Sequence, residues 1–343
     1  MTITLNAKQN PADVAVVITS VIRPSLLEAV RSVFRQALTG RVHLLIGIDI
    51  ARGERRMLDE LQRECPPHIS LTILDPGYST SKWNGGLETN RFGGALPAIL
   101  SQLANSRYVA YLDDDDWWAS DHLASMLKAI AGKQWAFAYR WMVHPETLWP
   151  ICRDEWDAVG PGRGINVQRF GGFVAPSGLM LDKTACHGVL QLWNHSGFQD
   201  GTGNDRRVFG ALRESFTWAA TQRYSVYYVV NAQSMAHAHH AREFAQRGLD
   251  WVRDPILIGS IRRHAAAARE AYARGDLRVA GERARAALAI HPNHADALFC
   301  LAEAEMAAGQ NAAALEHIQS ALAVDDRVPE YHAALARLQK AGG

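Results

Sequence analysis

The sequence predicts an α/β domain with a mostly parallel central sheet flanked by helices, followed by an all-α segment of helical repeats. Up to about residue 250, short apolar runs rich in β-branched residues alternate with segments of helical spacing. Strands that are apolar on both faces are typical of a parallel sheet covered by helices on both sides. The last quarter of the chain is instead rich in alanine and repeats itself. We therefore predict two domains, residues 1–255 and 256–343.

The elements of the first domain begin with a buried strand at VAVVITS (14–20) and a helix over 25–38. Further strands are predicted at 42–50, 69–74, 108–113, 135–143 and 224–230, further helices at 94–106, 120–132 and 204–215, and a strand leading into a helix at 177–185. Ser120 is the expected N-cap of its helix. Ligands of such sheets bind outside the carboxyl ends of the strands, where Asp49 and the run Asp113–Asp116 fall.

The C-terminal segment repeats with a fixed period. Gly275 and Gly309 lie 34 residues apart, and so do Ala280 and Ala314. This is the tetratricopeptide period, in which two antiparallel helices meet at a small residue and a glycine forms the turn between them. A last helix is predicted at 328–339, and an ordinary alanine-rich helical hairpin is the alternative. Repeats of this kind bury their apolar faces only by stacking on a neighbour, and this segment contains few of them. We therefore expect them to pack on the preceding domain, bind a protein partner or form a homodimer.

Composition excludes several classes of protein. The chain has 343 residues and a formal net charge of +1, so no overall field favours nucleic acid or an anionic membrane. The N-terminus lacks a basic region followed by a long apolar core, and no apolar run reaches the roughly 20 residues of a transmembrane helix. The four cysteines are far apart and are expected to be free thiols. We expect a cytoplasmic protein without a transmembrane segment.

The run Asp113–Asp116 in YLDDDDWW requires either full solvation or a positive charge. Two carboxylates about 4 Å apart repel by about 4 kcal/mol at the effective dielectric of a protein surface. A solvated loop and a helix cap are the simple alternatives. An EF-hand requires aspartates at alternate positions followed by a glycine and a distal glutamate, and DDDDWWASDHLAS does not fit this pattern. An aspartyl-phosphate phosphatase would have Thr or Val where this chain has tryptophans. An Asp-x-Asp site for Mg²⁺ or Mn²⁺ remains.

Three stretches of the chain together resemble the family 2 glycosyltransferases with the nucleotide-binding GT-A fold. They are VAVVITSVIRPSLLEAVRSVFRQ (14–36), IGID (46–49) and NRFGGALPAILSQLANSRYVAYLDDDDWW (90–118). The resemblance extends over about residues 14–245 and is strongest up to residue 118. It implies a GT-A fold, transfer of a sugar from a nucleotide-diphospho-sugar, and a divalent cation, Mn²⁺ or Mg²⁺, as cofactor.

On the donor side, the resemblance implies that Thr19 and Asp49 contact the nucleotide and that Arg91 contacts the nucleotide or its diphosphate. The sequence departs from the family pattern after Asp49, where the family often has two adjacent acids. The structural alternatives are that Thr19 ends a strand and that Arg91 pairs with a local acid.

For the acid run, the resemblance implies that Asp115 and Asp113 bind the metal ion. Asp113 or Asp114 would also reach the ribose or a metal-bound water, and Asp116 would cap the following segment. Such a cation neutralises the charge that develops on a departing diphosphate.

The base that deprotonates the acceptor is expected to be Asp205, with Asp200 as the substitute. Asp205 precedes RRVFGALR, which resembles the family segment in which an acid opens a helix. A carboxylate with a pKa near 4 is ionised and accepts the proton as the new bond forms. The structural alternative is a helix cap.

Clustered histidines follow the last predicted strand. The resemblance implies that His237, with His239 close behind, is an additional metal ligand, because many GT-A enzymes have a histidine at this place. No cysteine or acidic ligand nearby supports a closed zinc site, and an ordinary surface loop is the alternative. The histidines of HPNH (291–294) are expected to face solvent in a repeat turn.

Together these features predict a metal-dependent, inverting glycosyltransferase that transfers a hexosyl or N-acetylhexosaminyl group, with a UDP-sugar as the favoured donor. The acceptor is a hydroxyl of a glycan, a lipid-linked oligosaccharide or a protein. A nucleotidyltransferase is disfavoured because TSVIRPS lacks a glycine-rich loop and a lysine. The remaining alternative is a non-catalytic repeat scaffold with a degenerate nucleotide-sugar-binding domain.

Overall fold

The structure, a computed structural model, describes residues 10–231, 235 and 237–341. It divides into two compact units. The first contains the chain up to Arg140 together with Asp154–Tyr228, and the second contains Trp141–Arg153 together with the chain from Val229 onward. The boundaries of the compact units thus differ from residue 255. A boundary between two folding domains at residue 255 stays a prediction.

The first unit alternates strands and helices along the chain. Its strands, with β6 and β11 ending in the second unit, are β1 (Val14–Ser20), β2 (Val42–Ile48), β3 (Ile69–Leu74), β4 (Tyr108–Tyr111), β5 (Trp117–Trp118), β6 (Trp135–Val143), β8 (Gly160–Pro161), β9 (Gly172–Phe173), β10 (Leu179–Asp182) and β11 (Trp218–Val229). Its helices are α1 (Leu26–Phe34), α2 (Arg56–Glu64), α3 (Leu96–Leu103), α4 (His122–Ile130), α5 (Val167–Phe170) and α6 (Asn204–Ser215). Short 3₁₀ helices lie at Lys82–Asn84, Pro176–Gly178 and His187–Asn194.

The main sheet has the strand order β3-β2-β1-β4-β10-β6-β11-β5. The strands β3, β2, β1 and β4 are parallel, whereas β10 is antiparallel to both β4 and β6, and β5 is antiparallel to β11. The predicted α/β architecture is confirmed. Its parallel half contains the strands whose carboxyl ends were expected to form the site.

Alternation along the strands gives the sheet two apolar faces. In β1, Val14, Val16 and Ile18 belong to one buried cluster with α1, α2 and α4, and Ala15 and Val17 belong to another with α3 and α6. Burial of a valine or isoleucine side chain contributes about 1.5–3 kcal/mol, so a strand buried on both faces is strongly held. The β-branched run VAVVITS therefore forms a strand that is covered on both faces, as predicted.

A buried glutamine connects α1 to the start of α4. Gln36 donates from Nε2 to the carbonyl of Ala119 at 2.8 Å and accepts at Oε1 from the backbone N–H of Leu123 at 2.8 Å. The N-cap residue of α4 is Asp121, so the expectation that Ser120 occupies this position was wrong. The glutamine satisfies an N-terminal backbone donor that a capping side chain would otherwise bind.

The second unit is mainly helical. After the strand β7 (Pro150–Arg153), which pairs with the last residues of β6, it contains α7 (Ala238–Gln246), a 3₁₀ helix (Asp250–Arg253), α8 (Pro255–Ala273), α9 (Leu277–Leu288), α10 (Ala295–Ala307), α11 (Asn311–Val324) and α12 (Pro329–Ala341). Gly275 and Gly309 form the turns of the pairs α8–α9 and α10–α11 with φ of 79° and 74°. Ala280 and Ala314 are fully buried. The helix pairs and the last helix follow the predicted repeat.

Histidine and tryptophan rings pack together inside the second unit. The ring centroids of His291 and Trp251 lie 4.2 Å apart, and those of His294 and Trp149 lie 4.8 Å apart. His291 is fully buried and His294 nearly so, so the expectation that both face solvent was wrong. Asn293, between them in the HPNH turn, donates to the carbonyl of Ile151 at 2.9 Å. This turn is therefore internal to the second unit.

Among the residues that the structure describes, no helix combines the length and the apolar character needed to span a bilayer.

Candidate nucleotide-sugar site

Three neighbouring strands of the first unit end side by side. The strand β1 pairs in parallel with β2 on one side and β4 on the other. Ser20 ends β1, Asp49 follows β2, and Asp113 begins the acid run after β4. Parallel pairing places these carboxyl ends at one edge of the sheet, which is where the ligands of α/β proteins bind.

A cavity of about 300 Å³ opens at this edge. It brings together Thr19, Asp49 and Arg91, three of the residues predicted to contact the nucleotide. The full lining is Thr19, Ser20, Val21, Arg23, Asp49, Arg52, Trp83, Asn84, Arg91, Phe92 and Gly93. Three arginines against one aspartate make this cavity suited to an anionic ligand such as a diphosphate.

Asp49 is buried at the end of β2 and held by two side chains. Its Oδ1 accepts from the hydroxyl of Ser79 at 2.6 Å, and its Oδ2 lies 3.5 Å from Nδ2 of Asn84. These contacts fix a carboxylate that lines the cavity, and they leave acceptor capacity for a ligand hydroxyl or N–H group.

Trp83 and Arg91 form a second wall of the cavity. The guanidinium carbon of Arg91 lies 5.4 Å from the centre of the Trp83 ring. The backbone N–H of Arg91 donates to the carbonyl of Gly201 at 2.8 Å. Trp83 is 44% exposed, which is unusual for so large an apolar ring. An aromatic face beside a cation is an arrangement on which a nucleobase stacks.

Asp114 is the aspartate of the run that is tied to β1. It is buried and accepts from the hydroxyl of Ser20 at 2.5 Å, and the Nε of Arg23 lies 3.2 Å from its Oδ1. Burial raises its pKa to about 6, against the opposing effects of Arg23 and Ser20. These partners give Asp114 a fixed position at the edge of the cavity.

Asp115 is more exposed than Asp114 and Asp116, two other aspartates of the run whose side chains accept hydrogen bonds. Its side chain is 40% exposed, and its Oδ2 accepts from Nη1 of Arg23 at 2.8 Å. Asp113 is half-buried, and burial together with the charges of Asp115, Asp114 and then Asp205 raises its pKa to about 7. Burial and mutual repulsion disfavour the ionised forms of these carboxylates, and a cation bound beside them would stabilise those forms.

Asp116 and Ser177 connect the acid run to the strand β10. The hydroxyl of Ser177 donates to Oδ2 of Asp116 at 2.6 Å and accepts from the backbone N–H of Asp113 at 3.1 Å. The indole of Trp118 donates to the carbonyl of Ser177 at 2.7 Å. Asp116 therefore bonds to Ser177, and its role as a cap of the following segment stays a prediction.

Asp205 lies in the first turn of α6, with Gly203 rather than an acid as the N-cap residue. Its Oδ1 accepts from the backbone N–H of Arg206 at 2.7 Å. Burial raises the pKa of Asp205, Asp157 adds to this effect, and Arg206 opposes it. The charge of Asp205 in turn adds to the effects that raise the pKa of Asp113.

Asp200, the substitute base, belongs to a turn. It accepts from the hydroxyl of Thr202 at 2.7 Å and from the same residue's backbone N–H at 3.0 Å. These bonds, with a smaller effect of Arg91, lower its pKa. A carboxylate whose ionised form is stabilised in this way is a weaker base than Asp205.

The donor set for a divalent cation consists of carboxylate oxygens of the acid run. Within the described ranges, no three His, Cys, Asp or Glu side chains are grouped as a metal site. Asp115 and Asp113 nevertheless fit Mg²⁺ or Mn²⁺, because these ions bind through one or two carboxylates and take further oxygens from a substrate's phosphates and water. Arg23 supplies the positive charge beside Asp115 and Asp114.

His237 belongs to the second unit and is the N-cap residue of α7. It is exposed, and its Nδ1 accepts from the backbone N–H of His239 at 3.4 Å. The rings of His237 and His239 are stacked with centroids 5.4 Å apart. A capping role accounts for these contacts, and the assignment of His237 as a metal ligand stays a prediction.

The sequence prediction missed the residues that orient the predicted ones. Ser20 at the end of β1 and Arg23 shortly after it hold the acid run, Ser177 holds it from the 3₁₀ helix before β10, and Trp83 adds an aromatic wall. Arg23 stands in the Arg-Pro pair that contributed to the resemblance, so its position carried a signal. Ser177 lies 61 residues from Asp116, and only the fold brings the two together.

Comparison with known proteins supports the helical repeats directly. Residues 271–338 match the family model of the tetratricopeptide repeat. The predicted repeats are confirmed. A comparison with curated protein sequences finds no match.

Among solved structures, the chain is similar to the 1–349 form of TarS from S. aureus, at 12% identity and a TM-score of 0.45, over 94% of this chain and 87% of that one. The same form in complex with UDP-GlcNAc aligns at 9% identity and a TM-score of 0.44, over 96% and 92%. The mannosyltransferase PcManGT from Pyrobaculum calidifontis, in complex with GDP-Man and Mn²⁺, aligns at 13% identity and a TM-score of 0.45, over 96% and 84%. Similarity of this degree assigns no substrate, metal or residue role to this chain.

Proposed function

We propose that the first unit is a glycosyltransferase that uses a nucleotide-diphospho-sugar as donor. The observation that carries the proposal is the cavity at the carboxyl ends of β1 and β2, where three arginines and Asp49 lie beside the acid run. Cationic side chains suit a diphosphate, and adjacent carboxylates suit a divalent cation that bridges to it. A UDP-sugar that carries a hexosyl or N-acetylhexosaminyl group is the proposed donor.

In the donor complex, Asp49 and Thr19 contact the nucleoside, and the exposed face of Trp83 stacks on its base. Arg91 and Arg52 neutralise the diphosphate. Each of these side chains lines the same cavity, and Asp49 is held in place by Ser79. A preorganised carboxylate loses little freedom when it accepts a ligand's hydrogen bond.

Asp115, with Asp113, is the proposed Asp-x-Asp site for Mn²⁺ or Mg²⁺. When bound there, the ion would supply positive charge to the leaving diphosphate. Asp114 keeps its bonds to Ser20 and Arg23 and reaches the ribose or a bound water. The side chain of Arg23 is 45% exposed and lines the cavity in which the phosphates are proposed to lie.

Asp205 is the proposed base of an inverting transfer. Its carboxylate takes the proton of the acceptor hydroxyl as that oxygen forms a bond to the anomeric carbon. The bond from the anomeric carbon to the diphosphate oxygen breaks, and the nucleoside diphosphate leaves. The raised pKa of Asp205 moves this carboxylate towards the working pH, where a general base is most effective.

The experiment that tests this function is a donor panel that includes UDP-GlcNAc and GDP-mannose, with and without Mn²⁺. The released nucleoside diphosphate is measured for the natural protein and for Asp115→Ala. We expect metal-dependent release from at least one donor and a loss of at least 100-fold in the variant. Undiminished metal-dependent release from folded Asp115→Ala would contradict the proposed role of Asp115.

A second candidate function is a non-catalytic scaffold that binds a nucleotide-sugar without metal. It is favoured by the ion pairs of Arg23, which give Asp115 and Asp114 a positive partner within the protein. The tetratricopeptide-like repeats would then recruit a protein partner or a second copy of the chain. Calorimetry with UDP separates the two, because a scaffold of this kind binds equally well with and without Mn²⁺.

A further inference from the structure

A second cavity lies elsewhere in the first unit, with a volume of about 230 Å³. It shares none of its lining with the candidate nucleotide site. The lining side chains are Tyr139, Glu155, Val159, Arg163, Gln222 and Tyr224. They include two aromatic rings, a carboxylate, a guanidinium and a carboxamide.

The aromatic rings form the inner part of this cavity. Tyr139 is buried and Tyr224 half-buried, and their ring centroids lie 5.3 Å apart at an angle of 34°. The Nη1 of Arg163 donates to the hydroxyl of Tyr139 at 3.2 Å, which fixes the guanidinium against the ring edge. Glu155, Arg163 and Gln222 are exposed and form a polar rim.

Gln222 adopts a backbone conformation that a non-glycine residue rarely takes. Its φ is 59°, and among the described residues only Ile22 and Leu148 share a positive φ without being glycine. A side chain in this region costs about 1–2 kcal/mol, and such strain concentrates at ligand-binding sites. The strain at Gln222 therefore accompanies a cavity that has a polar rim.

The loop that forms one wall of the cavity also carries a charge that acts on the candidate base. Glu155, Val159 and Arg163 belong to the segment 154–166, and so does Asp157, whose charge raises the pKa of Asp205. Asp157 is fixed by Nη2 of Arg140 at 2.6 Å. One anchored loop thus lines the cavity and carries the charge of Asp157, which acts on the proposed catalytic base.

We propose that this cavity is a carbohydrate subsite that holds one sugar ring of a glycan acceptor. Aromatic faces pack against the C–H faces of a pyranose, and the carboxylate, guanidinium and carboxamide of the rim bond its hydroxyl groups. The volume is below the roughly 300–1,000 Å³ of sites for drug-sized ligands, as a single-ring subsite requires. The inference rests on the proposed function and names a glycan, rather than a lipid or a protein surface, as the acceptor.

The test measures glycan binding apart from catalysis. The full chain is applied to an array of oligosaccharides, with and without UDP and Mn²⁺, and dissociation constants of retained glycans are measured by calorimetry. The variants are Glu155→Gln combined with Arg163→Ala, and Gln222→Gly, which keeps the backbone conformation and removes the carboxamide. The matched control combines Glu54→Gln with Arg56→Ala, a pair that is also well exposed.

We expect the natural protein and the control to retain the same glycans, and both cavity variants to bind them at least tenfold more weakly. UDP binding should stay within twofold in every variant. Failure of the natural protein to retain any glycan, or equal retention by the cavity variants, would overturn the inference. If the glycans bind as expected but no donor is turned over in the donor-panel assay, both the proposed function and the assignment of a glycan as acceptor are wrong. If a donor is turned over and no glycan is retained, only the subsite falls.

Discussion

At the scale of single residues, four identical aspartates occupy four different environments. Asp114 is buried against Ser20, Asp116 bonds to Ser177, Asp115 is exposed beside Arg23, and Asp113 is half-buried among the other acids. The sequence predicted that the run is a site and that Asp115, with Asp113, is its metal ligand. It did not predict the partners, because they come from segments that are distant along the chain.

Replacement of Arg23 tests whether this arginine competes with a cation. Arg23→Gln removes a positive charge beside Asp114 and Asp115. Because an exposed ion pair contributes up to about 1 kcal/mol, we expect Mn²⁺ without nucleotide to bind about three- to fivefold more tightly. Calorimetry with Mn²⁺ measures this, and Arg56→Gln is the control with a more exposed arginine. Unchanged or weaker Mn²⁺ binding would show that Arg23 does not compete.

Replacement of Asp205 separates the base from donor binding. Asp205→Asn should leave the dissociation constant of UDP within twofold and lower donor hydrolysis by about 10²–10⁴-fold, the usual contribution of a general base. In this assay water takes the place of the acceptor hydroxyl. Asp200→Asn is the control, since Asp200 is an exposed turn residue. A large loss in Asp200→Asn with normal hydrolysis by Asp205→Asn would reverse the assignment.

At the scale of elements, the hydrophobic periodicity predicted most strands and helices of the first unit. The helix at 204–215 matches its prediction, and the strand predicted at 224–230 begins earlier, at Trp218. The antiparallel half of the sheet was not predicted, because the partner and direction of a strand such as β10 depend on contacts made after the chain folds. The repeat glycines were predicted because their spacing is local information.

The turn glycines of the repeats give a prediction with an internal control. Gly275 has a φ of 79° and open space around the position of a Cβ, so Gly275→Ala should cost about 1 kcal/mol through backbone strain alone. Gly259 lies within α8 in an ordinary helical conformation, and Gly259→Ala should stabilise by about 0.5–1 kcal/mol. Urea unfolding followed by circular dichroism measures both changes. Equal effects of the two substitutions would contradict the assigned turn.

At the scale of the whole molecule, two features were beyond the sequence. The segment 141–153 belongs to the second compact unit although it lies between two parts of the first unit along the chain. A sequence pattern can only divide the chain into consecutive pieces. Several histidines are buried as neutral rings. His122 stacks on Trp118 with its pKa lowered to about 3 by burial, and burial lowers the pKa of His291 well below 6.5. Sequence alone does not distinguish a buried histidine from an exposed one, as the HPNH turn shows.

Buried neutral histidines destabilise the protein in mild acid, whereas Asp113 and Asp114, whose pKa values burial raises to about 7 and about 6, act in the opposite direction. The unfolded chain takes up protons on its histidines near pH 6.5, whereas buried His122 and His291 stay neutral, so the contribution of these two residues to the free energy of unfolding falls as the pH drops below about 6.5. Each fully neutral histidine should lower it by about 1 kcal/mol between pH 7 and pH 5.5.

Thermal unfolding at this series of pH values measures the effect. His291 packs near His294, His144, Trp251 and Trp149. Within this cluster, His291→Phe keeps an aromatic ring and removes one titrating group, so between pH 7 and pH 5.5 the variant should gain about 1 kcal/mol in free energy of unfolding relative to the natural protein. A difference in stability between the two proteins that does not change with pH, or that changes in the opposite direction, would contradict the buried neutral state.

The most direct test of the central claim is UDP binding measured by calorimetry with and without Mn²⁺. The cavity beside the acid run predicts that Mn²⁺ tightens UDP binding at least tenfold in the natural protein and that Asp115→Asn removes this enhancement. UDP binding that is absent, or that is equal with and without Mn²⁺, would contradict a metal-dependent nucleotide-sugar site.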